Sequence, residues 1–318
     1  MNNEFMTLSG SNIKAVVCTD VCKSYGKVPA LRNISFTVEQ GEIFGVIGPD
    51  GAGKSTLFRV LTTLLLADSG TASVEGMDVV KEYKEIRKNV GYMPGRFSLY
   101  QDLTVEENLK IFATLFHTTI EENYFLIKDI YSQIEPFKTR RAGALSGGMK
   151  QKLALSCALI HKPSILFLDE PTTGIDPVSR KELWEMLRKL KSQGITIVVS
   201  TPYMDEASLC DRIALIRDGE FMKIDTPKGI ISGFRKELWA VRGSNMSALI
   251  GHLREVDGVV TCFAFGDNHH ITVDNTVDNT ILTKEILRSR LEEKGHNEII
   301  IEKIEAGIED CFMELANR

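Results

Sequence analysis

Nine consecutive residues constrain this chain more than any others: Gly48-Pro49-Asp50-Gly51-Ala52-Gly53-Lys54-Ser55-Thr56. They follow the apolar run Ile43-Phe44-Gly45-Val46-Ile47, which reads as a buried parallel strand. They precede Leu57 to Leu65, which reads as a helix packed on that strand. Strand, glycine loop and helix in that order are the context a phosphate-binding loop needs. Gly48, Gly51 and Gly53 let the backbone wrap an anion with its N–H groups pointing inward. The helix then offers its N-terminus and dipole to the phosphates. Lys54 is placed to reach the β- and γ-phosphates of a nucleoside triphosphate, and the Ser55 hydroxyl to hold Mg²⁺.

Composition sets the outer bounds. A chain of 318 residues is long enough for two domains, and 43% hydrophobic with 25% charged residues is a globular balance. The net charge of −5 argues against nucleic acid as the main partner. No apolar run approaches the roughly 20 residues that span a bilayer, so any role at a membrane is expected to come through another subunit. Met1 to Ser11 is polar and lacks the pattern of a signal peptide. Six cysteines, at 18, 22, 157, 210, 262 and 311, include no Cys-x-x-Cys pair and read as ordinary thiols of a reducing cytoplasm.

Residues 13–47 alternate short apolar stretches with turns, Ile13 to Cys18, Val28 to Leu31 and Ile34 to Val38, and read as an antiparallel sheet feeding the loop. Tyr25 precedes Gly26 in the first turn, where an aromatic either stacks on a base or covers the hairpin. Val74-Glu75-Gly76 and Val90 to Met93 read as strands around a helix from Tyr83 to Lys88. Residues 95–160 turn helical. Asp102 or Thr104 is placed to cap Val105 to Phe116, and Glu121 to Ile134 follows. Phe97, Leu99 and Tyr100 lie in the preceding loop, either as core or as a docking surface.

Leu145-Ser146-Gly147-Gly148-Met149 makes a second anion-binding turn: Ser146 caps a helix running to Ile160, and the glycines leave N–H groups uncovered. The apolar strand Ile165-Leu166-Phe167-Leu168 ends in Asp169-Glu170, two carboxylates where open parallel sheets bind ligands. Asp169 suits Mg²⁺, and Glu170 suits orienting an attacking water. Thr173-Gly174-Ile175-Asp176-Pro177 then turns into a helix from Val178 to Leu190, and a last strand, Ile195 to Ser200, ends at Thr201-Pro202.

A phosphate loop, an LSGG turn, an apolar strand ending Asp-Glu and a GIDP turn, in this order and spacing, resemble the nucleotide-binding subunit of an ABC transporter over roughly residues 13–230. Gly143 to Pro177 is similar to bacterial ABC-2-type exporters of the drug-resistance and tandem-ATPase kinds. The resemblance implies a P-loop α/β fold with an antiparallel β subdomain and a helical subdomain over about 95–160. It implies a tail over 1–12, the nucleotide-binding domain over 13–231 and an accessory domain over 232–318. It further implies a head-to-tail dimer with two ATP molecules, each between one subunit's phosphate loop (Gly48 to Thr56) and the other's Leu145 to Met149. In that scheme Tyr25 stacks on adenine, Asp176 lies at the interface, Ser55 and Asp169 hold Mg²⁺, and Lys54 and Glu170 serve hydrolysis. Phe97 to Tyr100 falls where the membrane permease docks, at the inner face of the cytoplasmic membrane.

Two positions depart from the family pattern. Gly95 stands where a glutamine is usual after Tyr-Met-Pro, and Pro202 where a histidine is usual after Ser-Thr. Proline has neither a side-chain donor nor an N–H, but it suits the first position of a helix capped by Thr201. The expected consequence is a site that binds ATP and hydrolyses it poorly: two such sites in a homodimer, or one beside a full site in a heterodimer with a second, complete ATPase subunit. A regulatory subunit with little turnover and a soluble, non-transport ATPase are the alternative functions.

Residues 235–318 read as βαββαβ, a ferredoxin-like order. The elements are Leu238 to Val241, Met246 to Arg254, Val259 to Phe265, His270 to Val273, Ile281 to Glu293 and Ile299 to Glu302, with a last helix from Ile308 to Leu315. His269 and His270 alternate across a strand and so do not face one ligand together.

Overall fold

The structure, a computed structural model, describes residues 14–274 and 282–317. Contacts divide the chain into two units, 1–227 and 228–318.

The first unit is built on a six-stranded sheet. Its spatial order is Glu220–Asp225, Arg212–Arg217, Ile43–Ile47, Thr196–Thr201, Ile165–Asp169 and Val90–Met93. All neighbours pair in parallel except the edge pair Glu220–Asp225 with Arg212–Arg217. Ile43–Ile47 and Ile165–Asp169 are buried at every position, as uninterrupted apolar runs between two covered faces must be. The register decides where function can lie. Met93 pairs with Leu168, Asp169 with Ser200, and Ile47 with Thr201. The loops that follow Ile47, Met93, Asp169 and Thr201 therefore all leave the same edge of the sheet.

The antiparallel sheet has the order Val28–Val38, Val16–Tyr25, Ser69–Val74, Met77–Asp78. The expected pair Val28 to Leu31 and Ile34 to Val38 is one strand of 11 residues. Arg32-Asn33 interrupts the apolar pattern without ending the ladder: Asn33 takes a left-handed φ of 48° at an irregularity in the register. The Cys22 thiol donates to Asn33 Oδ1 at 3.1 Å and its sulfur accepts the Asn33 N–H, which ties the bulge down. The neighbouring strand runs through to Tyr25, not ending at Cys18; Ile13 lies outside the described residues. Helix Lys54–Leu61 crosses between the sheets and buries Leu57, Phe58, Val60 and Leu61, with Phe58 edge-on to Phe167 at 5.9 Å.

The helical region holds Val105–Leu115, Ile120–Tyr131 and Gly147–Leu159. Thr104, not Asp102, caps the first. Its hydroxyl accepts from Glu107 N–H while the Glu107 carboxylate accepts from Thr104 N–H, a reciprocal capping box. Thr119 and Glu122 repeat the device, so that helix starts at Ile120 and stops at Tyr131, three residues short of the apolar pattern, where a short 3₁₀ turn follows at Glu135–Phe137.

The second unit is a four-stranded antiparallel sheet, order Val259–Phe265, Asn268–Val273, Glu237–Arg242, Ile300–Lys303. With helices Met246–Arg254 and Lys284–Glu293 between strands, this is the ferredoxin-like arrangement. Its core joins Trp239, Val241, Leu249, Leu253, Ile271 and Leu287. Thr283 caps the second helix through Ile286 N–H, so the helix begins at Lys284; Ile281 lies outside the described residues.

Candidate active site

The phosphate loop follows from Ile47 into helix Lys54–Leu61, and its glycines have steric reasons. A Cβ on Gly48 would stand 2.2 Å from the Ile216 carbonyl oxygen. One on Gly53, which takes a φ of +104°, would stand 2.3 Å from that of Ala30. Only glycine lets the backbone fold this tightly against its neighbours. Gly53 is also the cap of the helix and supplies no side chain, so the first N–H groups stay available to an anion.

Lys54 is 3% exposed. Its ammonium donates to the carbonyls of Gly48 at 2.8 Å and Pro49 at 2.9 Å, and pairs with Glu170 Oε1 at 3.1 Å. Glu170 holds a left-handed φ of 51°, strained for a residue with a side chain. Its N–H donates to both the carbonyl and the hydroxyl of Ser200, at 3.1 and 3.0 Å, which holds the turn. The same Ser200 hydroxyl donates to Asp169 Oδ1 at 2.6 Å. One buried serine thus orients both acids, and the sequence reading missed it. The available signal was its register opposite Asp169, which becomes visible only once the strands are paired.

Ser55, Arg59, Gly95, Asp169 and Glu170 line one cavity of about 740 Å³. A hydroxyl, a 3%-exposed carboxylate and a second carboxylate on one wall form a hard-oxygen donor set that suits Mg²⁺. Ser55 and Asp169 would hold the ion, which would supply positive charge to offset that of a bound triphosphate. Tyr92 also lines the cavity; burial pushes its phenol up to about 12, with the Asp169 carboxylate adding to the shift.

Gly95 leaves the cavity wall open, and a Cβ there would sit 3.1 Å from the Asp169 carbonyl oxygen, tight but not closed to a side chain. Pro202 does not start a helix, contrary to expectation. The next element is a 3₁₀ turn at Met204–Leu209, capped at Tyr203. The Thr201 hydroxyl accepts from Tyr203 N–H at 3.1 Å and the Thr201 carbonyl accepts from Gly48 N–H at 3.2 Å. The chain turns on these bonds, and none of them needs an N–H at position 202.

Ser146 caps helix Gly147–Leu159 by accepting from Met149 N–H. The turn packs against the chain's own GIDP segment: a Cβ on Gly147 would lie 3.0 Å from the Gly174 carbonyl, and one on Gly148 2.8 Å from the Ser179 hydroxyl. Asp176 caps helix Pro177–Ser192 through Val178 and Ser179 N–H and accepts from the Ser179 hydroxyl at 2.7 Å. These bonds, the hydroxyl's first, hold its carboxyl below the usual range. Leu145 to Met149, Asp176 and Tyr25 form no part of the cavity wall. Tyr25 ends its strand 48% exposed.

The loop before Val105 divides. Leu99 is buried, Phe97 is half-buried beneath Lys150, and only Tyr100 is freely exposed. Asn108, fully buried, pins it by donating to the carbonyl of Tyr100 and accepting its N–H. A second, largely apolar groove of about 710 Å³ lies alongside, lined by Leu64, Tyr92, Phe112, Leu115, Phe116 and His161 among others. His161 stacks on Phe116 at 3.8 Å, and burial lowers it to about 4. Among the described residues no group of three or more His, Cys, Asp or Glu side chains is placed to hold a metal ion, and no helix is long and apolar enough to cross a membrane. In the second unit His269 bonds the Met246 carbonyl and His270 bonds Asp310, each at 2.7 Å and on opposite sheet faces.

A phosphate loop and an Asp-Glu strand end at one sheet edge, with an LSGG turn presented outward, define an ATP-binding cassette. Residues 31–173 match the family model described as "ABC transporter". The chain is 35% identical to the Nod factor export ATP-binding protein I of Burkholderia lata, over 94% of this chain and 96% of that one. It is 37% identical to the daunorubicin resistance ATP-binding protein DrrA2 of Streptomyces coeruleorubidus, over 76% and 74%. It is 45% identical to the probable multidrug ABC transporter ATP-binding protein YbhF of Escherichia coli K12, over 64% of this chain but only 35% of that relative. The ATP-binding cassette MJ0796, solved as a dimer in a post-hydrolysis state with ADP and Pi, superimposes with a TM-score of 0.61 at 27% identity, over 66% of this chain and 98% of that one. The chain belongs to the ATP-binding proteins of the ABC transporter family and is an ABC-type ATPase.

Proposed function

We propose that this chain is the ATP-binding subunit of an exporter, acting at the inner face of the cytoplasmic membrane and driving a separate ABC-2-type permease. The observation that carries the reading is the Lys54–Glu170–Asp169 constellation at one sheet edge, on a chain whose relatives are named for export. The chain's own Gly48–Thr56 loop holds the phosphates, Ser55 and Asp169 hold Mg²⁺, Tyr25 stacks on adenine, and Ser146 to Met149 face a partner's nucleotide across a head-to-tail interface near Asp176. Glu170 accepts the proton of the attacking water.

Gly95 removes a side-chain contact to Mg²⁺, and Pro202 one to the terminal phosphate. One such contact is worth roughly 3 kcal/mol in the transition state, about a hundredfold in rate. The reading is therefore asymmetric: a weak site on this chain's loop and a full site on a second ATPase subunit, completed by this chain's LSGG turn. In the purified complex Gly147→Asp should abolish steady-state ATPase, whereas Glu170→Gln should cost less than half of it. Because a Cβ at 147 comes within 3.0 Å of Gly174, a melting curve accompanies the first variant. Equal, severe losses from both, or a robust ATPase from a homodimer, would refute the asymmetry. The same departures at Gly95 and Pro202 favour a second reading, a regulatory subunit that binds nucleotide and rarely turns over; a negligible rate in both sites of the complex would select it.

The permease docks in the apolar groove beside Tyr100, where Leu115 is 66% and Leu64 56% exposed. Tyr100→Ser with Leu115→Ser should release the subunit from membranes without unfolding it; unchanged co-sedimentation would place docking elsewhere. Leu99 is left out because it is core.

A further inference from the structure

We propose that Glu170 competes with the terminal phosphate of a bound nucleotide for Lys54, and thereby biases this chain toward diphosphates over triphosphates. The proposal rests on the reading of the Gly48–Thr56 loop as the nucleotide site. An ammonium has three N–H donors. Here all three have acceptors: the Gly48 carbonyl at 2.8 Å, the Pro49 carbonyl at 2.9 Å and Glu170 Oε1 at 3.1 Å. Asp50, at 3.9 Å, stands outside hydrogen-bond range. A phosphate oxygen that takes Lys54 must displace one of these three. The two carbonyls belong to the loop backbone and are fixed with it. The Glu170 carboxylate is on a side chain and can swing, so it is the group that leaves.

The displacement is costly in two ways. Lys54 is buried, so its ion pair is little screened by water. The released carboxylate then faces a phosphate of its own sign, because its backbone cannot carry it away. Ser200 holds the Glu170 N–H with two acceptors, and the cavity wall places Glu170 beside Ser55 and Asp169. A diphosphate lacks the terminal group, brings less negative charge to Lys54 and Glu170, and so meets less of this repulsion. A triphosphate puts its terminal group, the one hydrolysed, against it. Glutamine and histidine side chains at positions 95 and 202 would supply donors that offset the repulsion; Gly95 and Pro202 supply none.

The test is equilibrium binding of ADP and of a non-hydrolysable ATP analogue to the full chain and to Glu170→Gln. Magnesium is present, and protein is kept at a concentration where sedimentation shows monomer. Glutamine keeps the shape and removes the charge. Glu170→Gln should tighten the analogue about tenfold more than it tightens ADP. Melting of the nucleotide-free protein supplies the second readout. Glu170→Gln should lower Tm in the parent but not in a Lys54→Met background, where the carboxylate has no ammonium to pair with. An unchanged analogue-to-ADP ratio, or additive melting shifts, would overturn the proposal while leaving the nucleotide site in place. Failure of either nucleotide to bind the parent would overturn the site reading itself.

Discussion

The phosphate loop and the pair Gly95 and Pro202 leave the same edge of the same sheet, and they differ in what they retain. Around the loop several groups have a steric or polar reason: Gly48 and Gly53, where a Cβ would strike a carbonyl, a buried lysine with three acceptors, an aspartate held by a serine. At Gly95 and Pro202 no side chain can donate a hydrogen bond to a phosphate. The fold does not need those side chains. Thr201 makes the bonds that turn the chain into Tyr203, and none of them needs an N–H at position 202. Under the proposed function, the groups that hold a nucleotide and the groups that finish its hydrolysis are separable, and one set is lost with the architecture intact.

The largest expected effect breaks the intact side. Lys54→Ala removes a charge-assisted contact to phosphate, worth roughly 1.5–3 kcal/mol, so affinity for a fluorescent ATP analogue should fall about ten- to a hundredfold. Undiminished affinity would detach the loop from the nucleotide. A smaller effect sharpens the boundary between the two sides. Ser200→Ala removes the bond that aims Asp169 and one of two that hold the Glu170 turn. Measured on the purified chain without a second ATPase subunit, it should lower kcat several-fold, with the binding of magnesium-free nucleotide changed less than twofold. Equal losses in both would make Ser200 a general packing residue.

The smallest effect concerns stability alone. Asp176 titrates below its ordinary value because Ser179 and the helix N-terminus bond its charged form. A depressed carboxyl contributes stability above its unfolded value, near 3.9, and loses it as pH falls through the folded value. Asp176→Ala should therefore lower Tm at pH 7, and the gap to the parent should close below about pH 4. A gap independent of pH would assign the cap to geometry instead of charge.

Much of this was legible in the sequence, because the informative signals are local. Helix Met246–Arg254, strand Ile43–Ile47 and the Ser146 cap fall where apolar period and capping residues put them. What the sequence concealed depends on residues far apart. Ser200 meets Asp169 only across paired strands, and Asn33 keeps its strand through a bulge anchored by Cys22. His252 meets His296 at 2.7 Å from 44 positions away. Leu99 read equally well as core or as surface because the choice lay with Asn108, which folds the loop inward. Pro202 suggested a helix start by its fixed φ, but the Thr201 hydroxyl bonded Tyr203 instead and set the turn two residues later.

At this chain's own site, the two side chains missing at positions 95 and 202 hold the rate of hydrolysis low. The direct measurement is steady-state ATPase of the purified chain beside its Gly95→Gln/Pro202→His variant, in the same buffer and with nucleotide saturating. Restoring even one terminal-phosphate contact is worth about a hundredfold, so the variant should gain at least that much in kcat, and saturating nucleotide keeps any tightening of the triphosphate out of the comparison. A variant that folds, binds ATP as the parent does and remains as slow would contradict the account.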